Sequence, residues 1–168
     1  VYATFYHRIS LFHPATRGAG IGDAGGSTVL NGTLDRVDRP WQWPVAIPAD
    51  GTTDVPRAFV DESPQAHEDL RRDGTIRDPG FPVSLTFERD EVTAVTADLR
   101  IDGPEGPQVP FALSWPERPA HPTQPGNYRS IVLVPHLPLR SRTRYWVHVA
   151  WTYRGTPDGR TWTFRTGR

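Results

Sequence analysis

Histidines, carboxylates and tryptophans are the side chains of this 168-residue chain with chemistry to offer, and their spacing decides what they can do. His7, His13, His67, His121, His136 and His148 form no His-x-x-x-His pair and no ligand pattern with neighbouring carboxylates, as a zinc-type site requires. Asp61-Glu62, Glu68-Asp69 and Asp102 with Glu105 offer oxygen ligands suited to calcium, but in polar loops they read as solvated turn carboxylates. No carboxylate pair is set apart by its context for acid and base work, and no Gly-x-Ser-x-Gly elbow is present. Gly20-Ile21-Gly22 lacks both the third glycine and the strand-to-helix setting of a phosphate loop. The residues therefore predict a protein that is not an enzyme, with no catalytic residues, no cofactor and no metal ligands.

Charge and composition narrow the partners. Nineteen basic and nineteen acidic residues cancel, and no basic run exceeds Arg71-Arg72, so nucleic acid is not expected as an electrostatic partner. No apolar run approaches the length of a membrane-spanning helix, so membrane insertion is not expected either. Without cysteine the chain has no disulfide or thiolate site. It begins at Val1 and contains no Met, which reads as a piece of a longer product.

The elements that position these residues are strands. Eighteen prolines and fifteen glycines disfavour long helices, because proline removes a backbone donor and glycine costs about 1 kcal/mol in a helix interior. Six Trp, five Tyr and seven Phe provide a packed core despite a modest hydrophobic fraction. Strand signals fall at 43–47, 82–87, 92–101, 109–115, 130–134, 143–153 and 160–166, the number and spacing of a β-sandwich. On 92–101 the set Thr93, Val95, Ala97, Leu99 and Ile101 is expected to face inward. Residues 155–159 read as a turn, and 61–80 as a solvated excursion with at most one helical turn. Residues 1–13 alternate as a strand or buried ribbon, with Phe5, His7, Ile9 and Leu11 on one side, and the glycines of 17–32 suit loops. The expected organisation is an N-terminal extended, Gly-rich appendage over 1–40 and an all-β antiparallel sandwich over 41–168.

Two motifs carry a resemblance. Leu139-Arg-Ser-Arg-Thr143-Arg-Tyr145-Trp-Val147-His-Val149 resembles the tyrosine corner of fibronectin type III-like and bacterial immunoglobulin-like domains, with Ser141 where those families have proline. Thr161-Trp162-Thr163-Phe164 resembles their last strand. The resemblance implies an immunoglobulin-like sandwich whose core includes Tyr145, Val147, Val149, Trp151, Trp162 and Phe164. His7-Arg8, Leu11, Pro14 and Gly20-Ile21-Gly22 are similar to the tail of bacterial secreted proteins of the cysteine-rich secretory protein, antigen 5 and pathogenesis-related superfamily (CAP, SCP-like), in which such a sandwich follows the main domain. That superfamily's cavity residues match nothing here, so no role is carried over to His7.

Trp146 and His148 fall on the outward face of their strand and, with Tyr2, Phe5 and Phe12 of the N-terminal segment, are the candidate interaction surface. Trp146 is expected to cover the chain's own first 40 residues, with an intermolecular contact or a carbohydrate platform as alternatives. The expected function is a secreted or cell-surface accessory or adhesion module that docks or spaces a neighbouring domain. The alternatives are a self-assembling surface or filament subunit using its N-terminal ribbon for strand addition to a neighbouring protomer, and a carbohydrate-binding module with a glycan partner.

Overall fold

A computed structural model describes residues 4–11, 16–24, 27–34, 43–60, 62, 65–68 and 74–168. Tyr2, Phe12, His13, Asp61, Asp69, Trp41 and the boundary expected near residue 40 lie outside the described residues. The elements are α1 (Tyr6–Leu11), β1 (Thr16–Ala24), β2 (Ser27–Leu34), β3 (Val45–Ile47), β4 (Val83–Thr86), β5 (Val92–Ile101), β6 (Phe111–Ser114), β7 (Ser130–Pro135), β8 (Arg144–Tyr153) and β9 (Thr156–Arg165). The chain is an all-β antiparallel sandwich. One sheet has the order β3-β4-β7-β6 and the other β5-β8-β9, the same arrangement as the ABED and CFG sheets of a constant-type immunoglobulin sandwich. After β3 the chain crosses to the second sheet, where Val55 bridges Thr166 in parallel and residues 51–55 exchange backbone hydrogen bonds with the end of β9.

The core between the sheets follows from period-two alternation. Tyr145, Val147, Val149 and Trp151 of β8 and Trp162 and Phe164 of β9 face Val83 and Leu85 of β4 and Ile131 and Leu133 of β7, all buried. Tyr145 stacks on Phe164 at 5.3 Å, and Phe87 meets the Trp151 ring edge-on at 5.3 Å. The Tyr145 hydroxyl accepts the Arg140 amide hydrogen at 2.7 Å, which pins the corner entering β8.

Local rules explain where the structure departs from the expected elements. On β5 the buried residues are Val92, Val95 and Leu99, and Thr93 does not face inward. Register with β8 shifts between Thr93 and Thr96, and Ala94 has φ 49°, so a β-bulge inserts one residue and moves the inward face by one position. The β8–β9 turn is Arg154-Gly155, with φ of 51° and 80°, rather than 155–159. Two successive left-handed residues match the twist of a two-residue hairpin, so β9 starts at Thr156. Gly18, Gly20, Gly22 and Gly32 lie in strands rather than loops: β1 pairs antiparallel with β2, from Thr16↔Leu34 to Ala24↔Ser27. Residues 6–11 are helical rather than a ribbon: Phe5, Tyr6 and Arg8 are buried and His7 is exposed, which is not a period-two pattern.

Candidate functional site

The site with the most converging polar chemistry lies on the outer face of the four-stranded sheet. Antiparallel sheets commonly leave one face to water. Here Ser84 and Thr86 of β4, Ser114 of β6 and Ser130, Val132 and Val134 of β7 are buried on the side away from the core. Their cover is α1 together with Phe59, Glu62 and residues 65–68, which act as a clamp, and the 116–129 loop. Phe5 and Tyr6 pack with Phe59 and Ala66 of the clamp against Val132 and Val134. Burial of each aromatic ring contributes about 1.5–3 kcal/mol.

Glu62 holds the start of α1. The first amides of a helix have no partner inside it, and this carboxylate accepts three of them. Phe5 and Tyr6 donate to Oε1 at 2.7 and 3.1 Å, and His7 donates to Oε2 at 3.0 Å. His7 Nδ1 lies 3.1 Å from the same Oε2. The Glu62 side chain is fully shielded from water, which corrects its reading as a solvated turn carboxylate. A helix end more than fifty residues away in the chain supplies hydrogen bonds that water would otherwise provide.

Arg8 makes the second anchor. It is 0% exposed, and its NH2 group donates to the Pro82 carbonyl at 2.6 Å and to Ser84 Oγ at 2.8 Å while its guanidinium sits 5.1 Å from the Phe81 ring centroid. Small side chains on β4 leave room for it. Around it the hydroxyls are tied together: Thr86 Oγ1 and Ser130 Oγ share a hydrogen bond of 2.9 Å. Buried Asn127 donates to Ser114 Oγ and to the Ser130 carbonyl and accepts from the Ala120 amide. Asn127, Tyr128 and Arg129 all have left-handed backbones, each at a cost of about 1–2 kcal/mol, and this turn sets the Tyr128 ring 5.7 Å from Tyr6.

Histidines gather at the same place. His121 joins the loop to the clamp: its Nδ1 accepts from the Thr123 amide, so Nε2 carries the proton and donates to Glu68 Oε2 at 2.7 Å. Thr123 Oγ1 lies 2.8 Å from Nδ1. This carboxylate, imidazole and hydroxyl chain closes the local 121–123 turn. The His67 ring is buried, its backbone is left-handed at φ 56°, and its amide donates to the Ala120 carbonyl. Burial pulls its pKa down to about 4, with nearby His136 adding to the effect. Burial pushes the Tyr6 phenol up, and the Glu62 carboxylate reinforces the shift.

The remaining candidates sit elsewhere. Tyr145, Val147, Val149, Trp151, Trp162 and Phe164 are all in the core. Phe5 is buried against the chain's own sheet rather than presented as a surface. Trp146 and His148 stack at 5.9 Å on the outer face of the three-stranded sheet, while Phe5, Tyr6 and Arg8 lie on the four-stranded sheet. Asp102 and Glu105 are exposed in the 102–106 turn. A cavity of about 200 Å³ opens at the tyrosine corner between Ile101, Val109, Leu139 and Tyr145. Among the described residues no three His, Asp or Glu side chains come together as metal ligands would, and no helix is long and apolar enough to cross a membrane. In the sequence Glu62 reads only as a turn carboxylate, Arg8 only as part of a family resemblance, and Ser84 carries no signal. The available signal was the unbroken apolar run Ile131-Val132-Leu133-Val134, which marks a strand covered on both faces. Comparison with protein-family models and with curated proteins finds no match to this chain.

Proposed function

We propose that this chain is a non-enzymatic docking module of a secreted or cell-surface protein, in which the sandwich grips the N-terminal segment and so fixes a neighbouring domain in place. The observation that carries this reading is the two-point anchor of residues 5–8, with Glu62 on three successive amides and Arg8 buried on Pro82 and Ser84. A segment that only trailed from the sandwich would gain nothing from a buried arginine, since burying a charge is costly unless it is hydrogen-bonded. The resemblance to sandwiches that follow a CAP-type domain agrees with this role. Strand exchange between copies draws less support, because residues 6–11 are helical and Phe5, Tyr6 and Arg8 are engaged by their own sandwich. A glycan platform also draws less, because the outer face of the three-stranded sheet carries one Trp stacked on a histidine rather than an array of rings.

Hydrogen exchange on Glu62→Ala tests the proposal. The amides of Phe5, Tyr6 and His7 lose their acceptor and should lose protection by about tenfold or more, a local opening of about 1.4 kcal/mol, while β7 and β8 exchange as in the parent. If these three amides are unprotected in the parent protein, no dock exists. If protection is equal in parent and variant, the segment is held by something other than Glu62.

A further inference from the structure

Of the six histidines, His13 lies outside the described residues and His148 is on the other sheet. Of the remaining four, His67 belongs to the clamp, and His7, His121 and His136 lie around it. His7 touches Glu62, His121 touches Glu68, and His136 follows Val132 and Val134 at two-residue intervals along the face that the clamp covers. A histidine cluster at the joint between two parts of a protein converts a change in pH into a change in contact. We infer that the clamp is an acid-operated latch, in which protonation of the buried His67 ring opposite His136 releases residues 5–8 from the sheet while the sandwich stays folded. This inference rests on the docking function proposed above and adds its regulation.

The direction follows from what surrounds the clamp. Charged and titratable groups face it from every packed element: Tyr6, His7 and Arg8 from α1, Glu62 and Glu68 within the clamp, His121 and Tyr128 from the loop, and His136 beyond β7. His7 and His121 each face a carboxylate, Glu62 and Glu68. His67 has none: its Nε2 is buried with no hydrogen-bond partner among the described residues, and the neighbouring group is another histidine. His67 is one residue from Ala66, which packs on Phe5 and Tyr6, and its amide ties the clamp to Ala120. Charging the ring therefore pushes apart the contacts that hold the segment. Burial holds the docked ring at about 4, below the 6.5 of a free imidazole, so any release that opens the ring to water takes up protons and the dock weakens as pH falls through that window.

The experiment is a pH titration of the full chain from 7.5 to 3.5, following the amide resonances of Phe5, Tyr6 and His7 by NMR and the sandwich by near-ultraviolet circular dichroism. The released fraction should rise between pH 6.5 and 4 before the circular dichroism changes. In His67→Gln that rise should disappear or move down by about half a pH unit or more, and His148→Gln should leave it unchanged. Should His67→Gln fail to fold at pH 7.5, His136→Gln, which removes the neighbouring imidazole, should shift release in the same direction by less. Resonances that remain docked to pH 3.5, a His67→Gln curve superimposable on the parent, or release coincident with loss of the sandwich would each overturn the latch and leave the dock standing. Resonances already at random-coil positions at pH 7.5 would instead overturn the dock itself.

Discussion

The two outer faces of the sandwich were built by the same rule and ended differently. Both sheets turn one side to a shared apolar core, so each should present a polar side to water. The three-stranded sheet does so: Thr96 and Thr161 are exposed, and Asp98, Arg100, Trp146 and His148 are half-buried. The four-stranded sheet does not, and Ser84, Ser114, Ser130, Val132 and Val134 are at most 1% exposed. Side-chain size separates the two. Tryptophan, arginine and histidine stand up from β5 and β8 and fill their own surface, whereas serine, threonine and valine leave a shallow floor on which a helix and a loop can settle. Serine and threonine hydroxyls then receive the polar groups that arrive, as Ser84 receives Arg8 and Ser114 receives Asn127.

A matched pair of substitutions breaks the comparison most directly. Val134→Asp places a carboxylate in the apolar cluster of Phe5, Tyr6 and Phe59 and should cost about 3 kcal/mol or more, because an ionised group loses its water there. Thr96→Asp on the open face should change stability by no more than about 0.5 kcal/mol. Equal shifts in the urea midpoint of the two variants would erase the distinction between a covered and a bare face.

Tyr145→Phe sharpens the contrast from the core side. It leaves the Arg140 amide without its acceptor and should lower stability by about 1–2 kcal/mol in chemical denaturation, with the dock still formed. A change confined to the resonances of residues 5–8 would mean that corner and dock are one cooperative unit. The smallest effect belongs to Trp146→Ala, which removes a half-buried ring from the open face and should cost less than about 1 kcal/mol. Any shift of the Phe5–His7 amides in that variant would show that the N-terminal segment reaches the three-stranded sheet.

Much of the sandwich was readable because its signals are local. Alternation along 144–153 places Tyr145, Val147, Val149 and Trp151 on one face whatever their partners, and Trp162 and Phe164 repeat the pattern on β9. Reading failed where the backbone leaves regular geometry. The bulge at Ala94 moves a whole face by one residue, yet alanine carries no mark of a left-handed conformation. Gly25-Gly26 between β1 and β2 has the length and composition of a hairpin connection, a signal outweighed by the other glycines around it.

The amino-acid sequence by itself determined the strand faces, the core aromatics and the tyrosine corner, because a period of two and a packed ring depend on neighbours a few residues away. Only the tertiary structure decided the dock. Glu62 stands in a polar stretch and Arg8 in an apolar one, and nothing within either segment says that the first will accept the amides of residues 5–7 or that the second will lie on Ser84. Those partners are separated by 55 to 76 residues. The energy of such a contact depends on the water it excludes, and that exclusion exists only once β4 and β7 are paired and their outer face needs a cover.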